Sequence, residues 1–345
     1  MTWIPLLLAD RSPNLRYLIL RRLLNFSEDE EEVLELQAMR EDDPLASSII
    51  KSQNKDGSWS DLDGAEAQRK NPVRSTALSL LRLGYLGFPK EHPTILNGVE
   101  YIFRAQQRNG TWPIPHAYDG ISEPKRQYTM VPLQTSLPLL GIAASGHSTD
   151  ERAEIAYEWL LDQRLDDGSW PAGKIGEVYG YQAGYRKMPH TQWGCRTNTT
   201  LALTCLAYHP QRRTSAEAKR ALDLLLARET RDRRTLGFNT ARIIGFEQHR
   251  GNLTYHANFD PALVLDLCGR IGANRSDARV DELVSWIQQQ QNKYGLWEYE
   301  TRPEASRWIS YDLLYSLSRI DEQSEWFSSE LRTRYASYKS KKKRF

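Results

Sequence analysis

One short stretch of this chain gathers many of the side chains that chemistry uses. Tyr179, Tyr181, Tyr185, Arg186, Lys187, His190, Cys195 and Arg196 all fall between residues 179 and 196. A guanidinium fork matches phosphate oxygens and a lysine adds a point charge. Tyrosine rings facing a cavity can stabilise a developing carbocation through their π faces. Thiolate, imidazole and carboxylate are donors that Zn²⁺ accepts, and three of them leave a fourth position for water or substrate. Elsewhere, Pro113 to Gly120 offers His116 and Asp119 as a local acid and base pair, although Asp119-Gly120 also reads as a plain turn. Asp61, Asp63, Asp119 and Asp260 are carboxylates that no sequence signature pairs.

The elements that must position these groups announce themselves by a repeat. Gln53 to Trp59, Gln106 to Trp112, Gln163 to Trp170 and Gln291 to Trp297 each run from Gln through Gly to Trp, the third with one extra residue. The tryptophans are 53, 58 and 127 residues apart, and half of the last gap points to a degenerate copy near Leu236-Gly237-Phe238. Each copy follows helical apolar spacing, such as Val99, Ile102 and Phe103, or Leu283, Trp286 and Ile287. The glycine is expected to end that helix in the left-handed conformation. A polar loop follows each tryptophan, then a more apolar helix, over Ser75–Leu83, Gln134–Ala144, Asn198–Ala207, Pro261–Cys268 and Ser310–Leu317.

With a first helix over Asn14–Leu24 and a last over Ser324–Tyr338, twelve helices result, alternately apolar and amphipathic. A helix that is apolar nearly all round must be buried on every side, whereas one with a single stripe can face water, so the set predicts an inner ring sheathed by an outer ring. The expected fold is all-α, an (α/α)6 toroid of six helical hairpins over residues 1–338, with a basic tail over 339–345; an open solenoid is the alternative. Trp170–Arg196 and Arg234–Phe259 are longer than a connection requires, which marks them as functional loops.

The Gln-x3-Gly-x-Trp segments resemble the QW motif of the squalene cyclase and protein prenyltransferase superfamily. That resemblance implies a toroid whose Gln and Trp residues link successive hairpins, with chemistry at the inner-helix ends that follow each tryptophan. The cyclases carry an acidic Asp-x-Asp-Asp-Thr-Ala motif, and the corresponding Val73-Arg74-Ser75-Thr76-Ala77 keeps only the Thr-Ala. A protonation-initiated squalene cyclase is therefore not expected. Prenyltransferases hold Zn²⁺ with Asp, Cys and His, and the resemblance transfers Cys and His to Gly194-Cys195 and Tyr255-His256, 61 residues apart. The family Asp is replaced by Trp193, which leaves His190 or Asp260 as the third ligand, while His190, Tyr255 and Asp260 are also the candidate catalytic residues. Arg186 and Lys187, ahead of the cysteine, correspond to diphosphate-binding positions, with Tyr181, Tyr185 and Arg196 completing a substrate-binding set. Cys195 as a small core residue and His256 as a neutral core histidine are the alternatives.

The function implied is an enzyme acting on an isoprenoid-like apolar substrate by transfer, elimination or isomerisation with zinc, a prenyl diphosphate being one candidate. A carbohydrate lyase or hydrolase on an α/α toroid and a non-catalytic binding module are the rivals. Bulk composition fits a globular chain: 40% hydrophobic and 26% charged residues, with 46 basic against 44 acidic side chains. A net charge of +2 argues against nucleic acid as a main partner. Three cysteines cannot build a disulfide framework, Ile4–Ala9 lacks the basic lead of a signal peptide, and no apolar run approaches the roughly 18 residues of a membrane span. A cytoplasmic location is the expectation.

Overall fold

The computed structural model describes residues 3–60, 72–112, 132–175, 178–179, 186–227, 231–247 and 259–322. Its helices in chain order are α1 (Trp3–Leu8), α2 (Pro13–Leu18), α3 (Glu31–Met39), α4 (Pro44–Lys51), α5 (Pro72–Tyr85), α6 (Pro93–Arg104) and α7 (Pro132–Ile142). They continue as α8 (Glu151–Asp162), α9 (Arg196–Tyr208), α10 (Ala216–Leu226), α11 (Phe238–Ile243), α12 (Pro261–Ile271), α13 (Ala278–Gln289) and α14 (Ser306–Glu322). π-Helical turns over Ile19–Leu23 and Ala143–His147 extend α2 and α7. The strands among the described residues are β1 (Lys174–Ile175) and β2 (Val178–Tyr179), an antiparallel pair. Among the described residues the fold is thus all-α apart from this ribbon.

The two classes of helix sort as their sequences require. From Thr197 to Ala207 every residue of α9 is buried, and α7 is nearly as enclosed. By contrast α13 buries only Val280, Leu283, Val284 and Ile287, one stripe at helical spacing. Contacts run in sequence from α5 to α7, α9, α12 and α14, and from α14 to the turn Ile19–Leu23. The ring closes where Leu18 and Arg22 approach Gly87, just beyond α5. Outside it, α4 and α6 pack on α5, α8 on α7, α10 on α9 and α12, and α13 on α12. Outer helices open on side-chain caps: Asp43 accepts from Leu45 N, Asp150 from Arg152 N, Ser215 from Ala218 N and Asp277 from Arg279 N. The expected last outer helix, Ser324–Tyr338, lies outside the described residues. Among the described residues no helix is long and apolar enough to cross a membrane.

The repeat glycines do not end the helices. Those helices stop several residues earlier, with Ser52, Ala105, Gln163 and Gln290 as the flanking residues, and the glycine is the left-handed residue of the turn that follows. Gln53 Nε2 donates to Gly57 O at 3.1 Å and to Thr94 O on the next outer helix at 2.9 Å. Gln106 repeats this with Gly110 O at 3.2 Å and Arg152 O at 2.9 Å. In the third copy the residue that reaches the glycine carbonyl is Arg164, to Gly168 O at 3.4 Å, so the insertion moves Gln163 out of register. Each indole N–H bonds a carbonyl ten residues back, on Ile49, Ile102, Leu160 and Ile287, at 2.7–2.8 Å. Glutamine therefore ties one hairpin to the next, while tryptophan anchors the end of its own helix.

Glycine also sets the closest helix seam. A Cβ on Gly84 would lie 2.0 Å from Ala144 O, and one on Gly141 would lie 2.6 Å from Ala77 O, so α5 and α7 meet backbone to backbone. Gly141→Ala gains up to about 1 kcal/mol of helix propensity. It forces the two helices apart, an overpacking cost of about 1–3 kcal/mol or more that falls on rigid backbone. A net loss of stability in urea unfolding is the expected result, and an unchanged or raised midpoint would contradict this reading of the seam.

Candidate functional site

The segment before α9 is knitted back onto the third tryptophan. Cys195 N donates to Trp170 O at 2.7 Å, Met188 N to Gly194 O at 3.0 Å and Arg196 N to Arg186 O at 2.6 Å. Gly194 is required there, since a Cβ would sit 2.3 Å from Ser169 Oγ and 2.5 Å from Thr191 Oγ1. Cys195 is wholly buried and flanks the start of α9. Arg186, Lys187 and His190 are exposed, His190 with a φ of 60°. The Arg196 guanidinium lies 3.5 Å over the Phe259 ring, so the starts of α9 and α12 are neighbours, as the sequence requires of adjacent inner helices. Tyr179 stacks on Trp193 with ring centroids 6.1 Å apart. Tyr181, Tyr185, Tyr255 and His256 lie outside the described residues, as do Asp61, Asp63, His116 and Asp119.

Asp260 caps two helices at once. Its carboxylate accepts from Ala262 N at 2.9 Å on α12, and from Gly237 N at 2.9 Å and Asn239 N at 2.7 Å at the head of α11. Burial nevertheless pushes its carboxyl up to about 6, with these hydrogen bonds opposing the shift. Among the described residues no three His, Cys, Asp or Glu side chains converge where one ion could be held. Cys195, His190 and Asp260 therefore do not form a metal site by themselves.

The stretch that carries the degenerate fourth copy does something the sequence does not announce. It forms α11, which enters the ring and packs on α5, α12 and α14. Arg82 on α5 donates to Ile243 O at its end, and Thr240 Oγ1 hydrogen-bonds Asp312 Oδ2 at 2.7 Å in its middle. Below α11, toward the C-terminal ends of the inner helices, lies a partly open pocket. Its apolar wall is Leu81, Leu140, Ile243 and Leu263, and its polar wall includes Tyr85, Tyr208, Thr204, Asp266, Arg270 and Asp312.

The two carboxylates of this pocket are in opposite electrostatic situations. Asp266 accepts from Arg270 Nε at 2.7 Å and from Arg319, and although burial works against its charge, the two guanidiniums hold its carboxyl below the usual range. Asp312 is pushed up to about 7, first by burial and then by the Asp266 charge. Its exposure is partial and directed into the pocket that it lines. The Tyr85 hydroxyl is buried without a hydrogen-bond partner, and its pKa is raised by burial and by Asp312. The pocket thus offers one carboxyl able to hold or release a proton near neutrality, beside aromatic and aliphatic walls. Sequence reasoning missed Asp312; a lone acid within Ile309-Ser310-Tyr311-Asp312-Leu313-Leu314, on a helix expected to be buried all round, was the available signal.

Residues 28–186, just under half of the chain, match the family model of the squalene-hopene cyclase C-terminal domain. The resemblance carried by the repeats, to a toroid of the squalene cyclase and prenyltransferase kind, is thereby supported. No curated protein matches the chain. Among solved structures, the type II terpene cyclase MstE from Scytonema in its apo form is 15% identical, covering 81% of this chain and 97% of that one at a TM-score of 0.34. A single-residue variant of that cyclase in complex with geranylgeranyl dihydroxybenzoate is 15% identical, covering 80% and 95% at 0.35, and a protein from Actinoplanes is 15% identical, covering 80% and 99% at 0.32. At such TM-scores these likenesses carry no argument about this chain.

Proposed function

We propose that this squalene cyclase-like chain is an enzyme that holds an isoprenoid-like apolar substrate in the centre of its ring and moves a proton at Asp312. The supporting observation is the position of that carboxyl, in a pocket shared with Leu81, Leu140, Ile243 and the Tyr85 and Tyr208 rings. Elimination and isomerisation both need a group that can give or take a proton at carbon, and such a group works best with a pKa near the working pH. Aromatic faces beside it suit a positively charged intermediate. The proton would not come from the position the cyclases use, where the acids of the motif are replaced by Pro72, Arg74 and Ser75.

Asp266 is unsuited to the same work, since both its oxygens are bound by arginines. That weakens the carbohydrate alternative, which needs two free carboxyl groups flanking one bond. A zinc-assisted form would place the ion between Cys195 and His256 with His190 or Asp260. It rests on the sequence resemblance alone. The same holds for Tyr255 as a catalytic residue and for Tyr181, Tyr185, Arg186, Lys187 and Arg196 as a prenyl diphosphate site.

The test is incubation of the full chain in heavy water with isoprenoids from farnesyl to squalene length, followed by mass spectrometry of extracted products. The expected result is an isomer of one member carrying solvent deuterium at carbon, or an elimination product that has lost its leaving group and one proton and carries no deuterium at carbon. If no member is either bound or converted, the isoprenoid reading fails.

A further inference from the structure

Around Arg270, the arginine that lines the pocket, more positive charge gathers than the neighbouring carboxylates balance. Arg270 and Arg319 share Asp266, and their guanidiniums lie 3.9 Å over Tyr208 and 4.5 Å over Tyr315. Arg22, from the ring's first inner helix, donates to Tyr311 Oη at 3.4 Å and stands 5.7 Å from the centre of the Tyr315 ring. Tyr311 and Tyr315 stack with centroids 6.1 Å apart and an interplanar angle of 5°, and Arg22 and Arg319 both lie against Tyr315. The acids beside them among the described residues are Asp266, which is ionised, and Asp312, which holds its proton up to about pH 7. Three guanidiniums therefore face one negative charge.

Enclosing unbalanced cations costs several kcal/mol each unless a counter-charge arrives. Guanidinium forks, unlike ammonium groups, are shaped for the oxygens of a carboxylate or phosphate. Unused hydrogen-bonding capacity lies at the same seam. Arg319 Nε, the Ser316 hydroxyl and the Tyr85 hydroxyl are all buried with no partner, and Ser316 as a residue is 1% exposed. Asp312, Ser316 and Arg319 fall on one face of α14, at i, i+4 and i+7, so the orphan donors follow on from the proton-carrying acid.

We infer that this arginine cluster binds the anionic head group of the substrate, a carboxylate or phosphate oxyanion on an apolar chain, through Arg22, Arg270 and Arg319 with the Tyr85 and Ser316 hydroxyls. The inference rests on the isoprenoid reading for the chain and adds the head group. It places the apolar body against Leu81, Leu140 and Ile243 and the charge toward Arg270. A purely hydrocarbon substrate would leave these cations unanswered.

Calorimetric titration of the full chain with geranylgeranoic acid, geranylgeranyl phosphate and geranylgeraniol tests this, with inorganic phosphate as a chain-free arm. The acid or the phosphate should bind about ten- to a hundredfold more tightly than the alcohol, the range for charge-assisted hydrogen bonds. Arg22→Gln, which leaves the Asp266 pairs intact, should remove most of that advantage. Arg319→Gln, which leaves Asp266 paired with Arg270 and removes one of the excess cations, is the second test, with melting used to confirm folding. Equal binding of acid, phosphate and alcohol, or an advantage that survives both variants, overturns the inference. If no isoprenoid binds but phosphate stabilises the parent and not Arg22→Gln, the anion site stands and the isoprenoid reading falls. Binding of neither sinks the anion site.

Discussion

Asp312→Asn should sharply reduce turnover and, at the same time, make the protein more stable than its parent above neutral pH. The Asp312 carboxyl is raised to about 7 from an ordinary 3.8, first by burial and then by Asp266. A raised folded-state pKa contributes stability that is fully present below the unfolded value, near pH 4, and is lost as the pH climbs through about 7. A shift of this size corresponds to about 4 kcal/mol at most. Asparagine keeps an oxygen for Thr240 and has no charge to bury, so it escapes that loss. The variant's advantage in melting temperature should be near zero at pH 4 and largest at pH 8. Asp260, raised to about 6, adds a smaller decline over pH 4 to 6 that both proteins share. Turnover should fall about 10²-fold or more, the usual contribution of a positioned acid or base. In the parent, a step that uses the protonated form should fade above about pH 7. A variant with full activity would remove Asp312 from the chemistry, and a stability difference that ignores pH would show that it does not titrate there.

The ring was legible in the sequence because its signals are local and repeated. Apolar spacing on both sides of Trp59, Trp112, Trp170 and Trp297 predicts the outer and inner helices, and α5, α7, α9, α12 and α14 each contain the span expected or most of it. Register within the repeat was less legible. Arg164 stands where glutamine was read, because hydrogen bonding to the Gly168 carbonyl follows distance to the glycine and not residue type. The pocket was the least legible part. Arg22, Asp266, Arg270, Asp312 and Arg319 come from three inner helices, up to nearly three hundred residues apart in sequence, and only ring closure brings them together. Thr240 reaches Asp312 because α11 enters the ring, and a degenerate repeat copy gives no sign of that. Of the two loops that drew attention for their length, Arg234–Phe259 supplies α11 and with it Thr240 and Ile243 of the pocket, whereas the described part of Trp170–Arg196 contributes backbone anchors such as Cys195 N to Trp170 O.

Trp112→Ala should cost more stability than any single change to the hydrogen bonds around it. The side chain is 1% exposed, its Nε1 donates to Ile102 O at 2.8 Å, and its ring sits 6.5 Å from that of Phe103. Truncation removes the apolar contact area and leaves a cavity that rigid helices cannot close, a loss of about 3–5 kcal/mol. Gln106→Ala in the same turn loses two bonds, to Gly110 O and Arg152 O, each worth about 0.5–1.5 kcal/mol. The tryptophan should therefore outweigh the glutamine, although the glutamine makes the link to the next hairpin. Trp112→Phe separates the two parts of the effect: it keeps most of the volume and removes the indole donor, leaving the Ile102 carbonyl with Ala105 N at 3.0 Å alone, and it should fall between the parent and alanine. Folded domains are stable by only about 5–15 kcal/mol, so the alanine variant should unfold at markedly lower urea concentration. Residues 106–112 do not line the central pocket, so activity per folded molecule should be unchanged. An alanine variant that melts like the parent but loses activity would move this tryptophan from the frame of the ring to its chemistry.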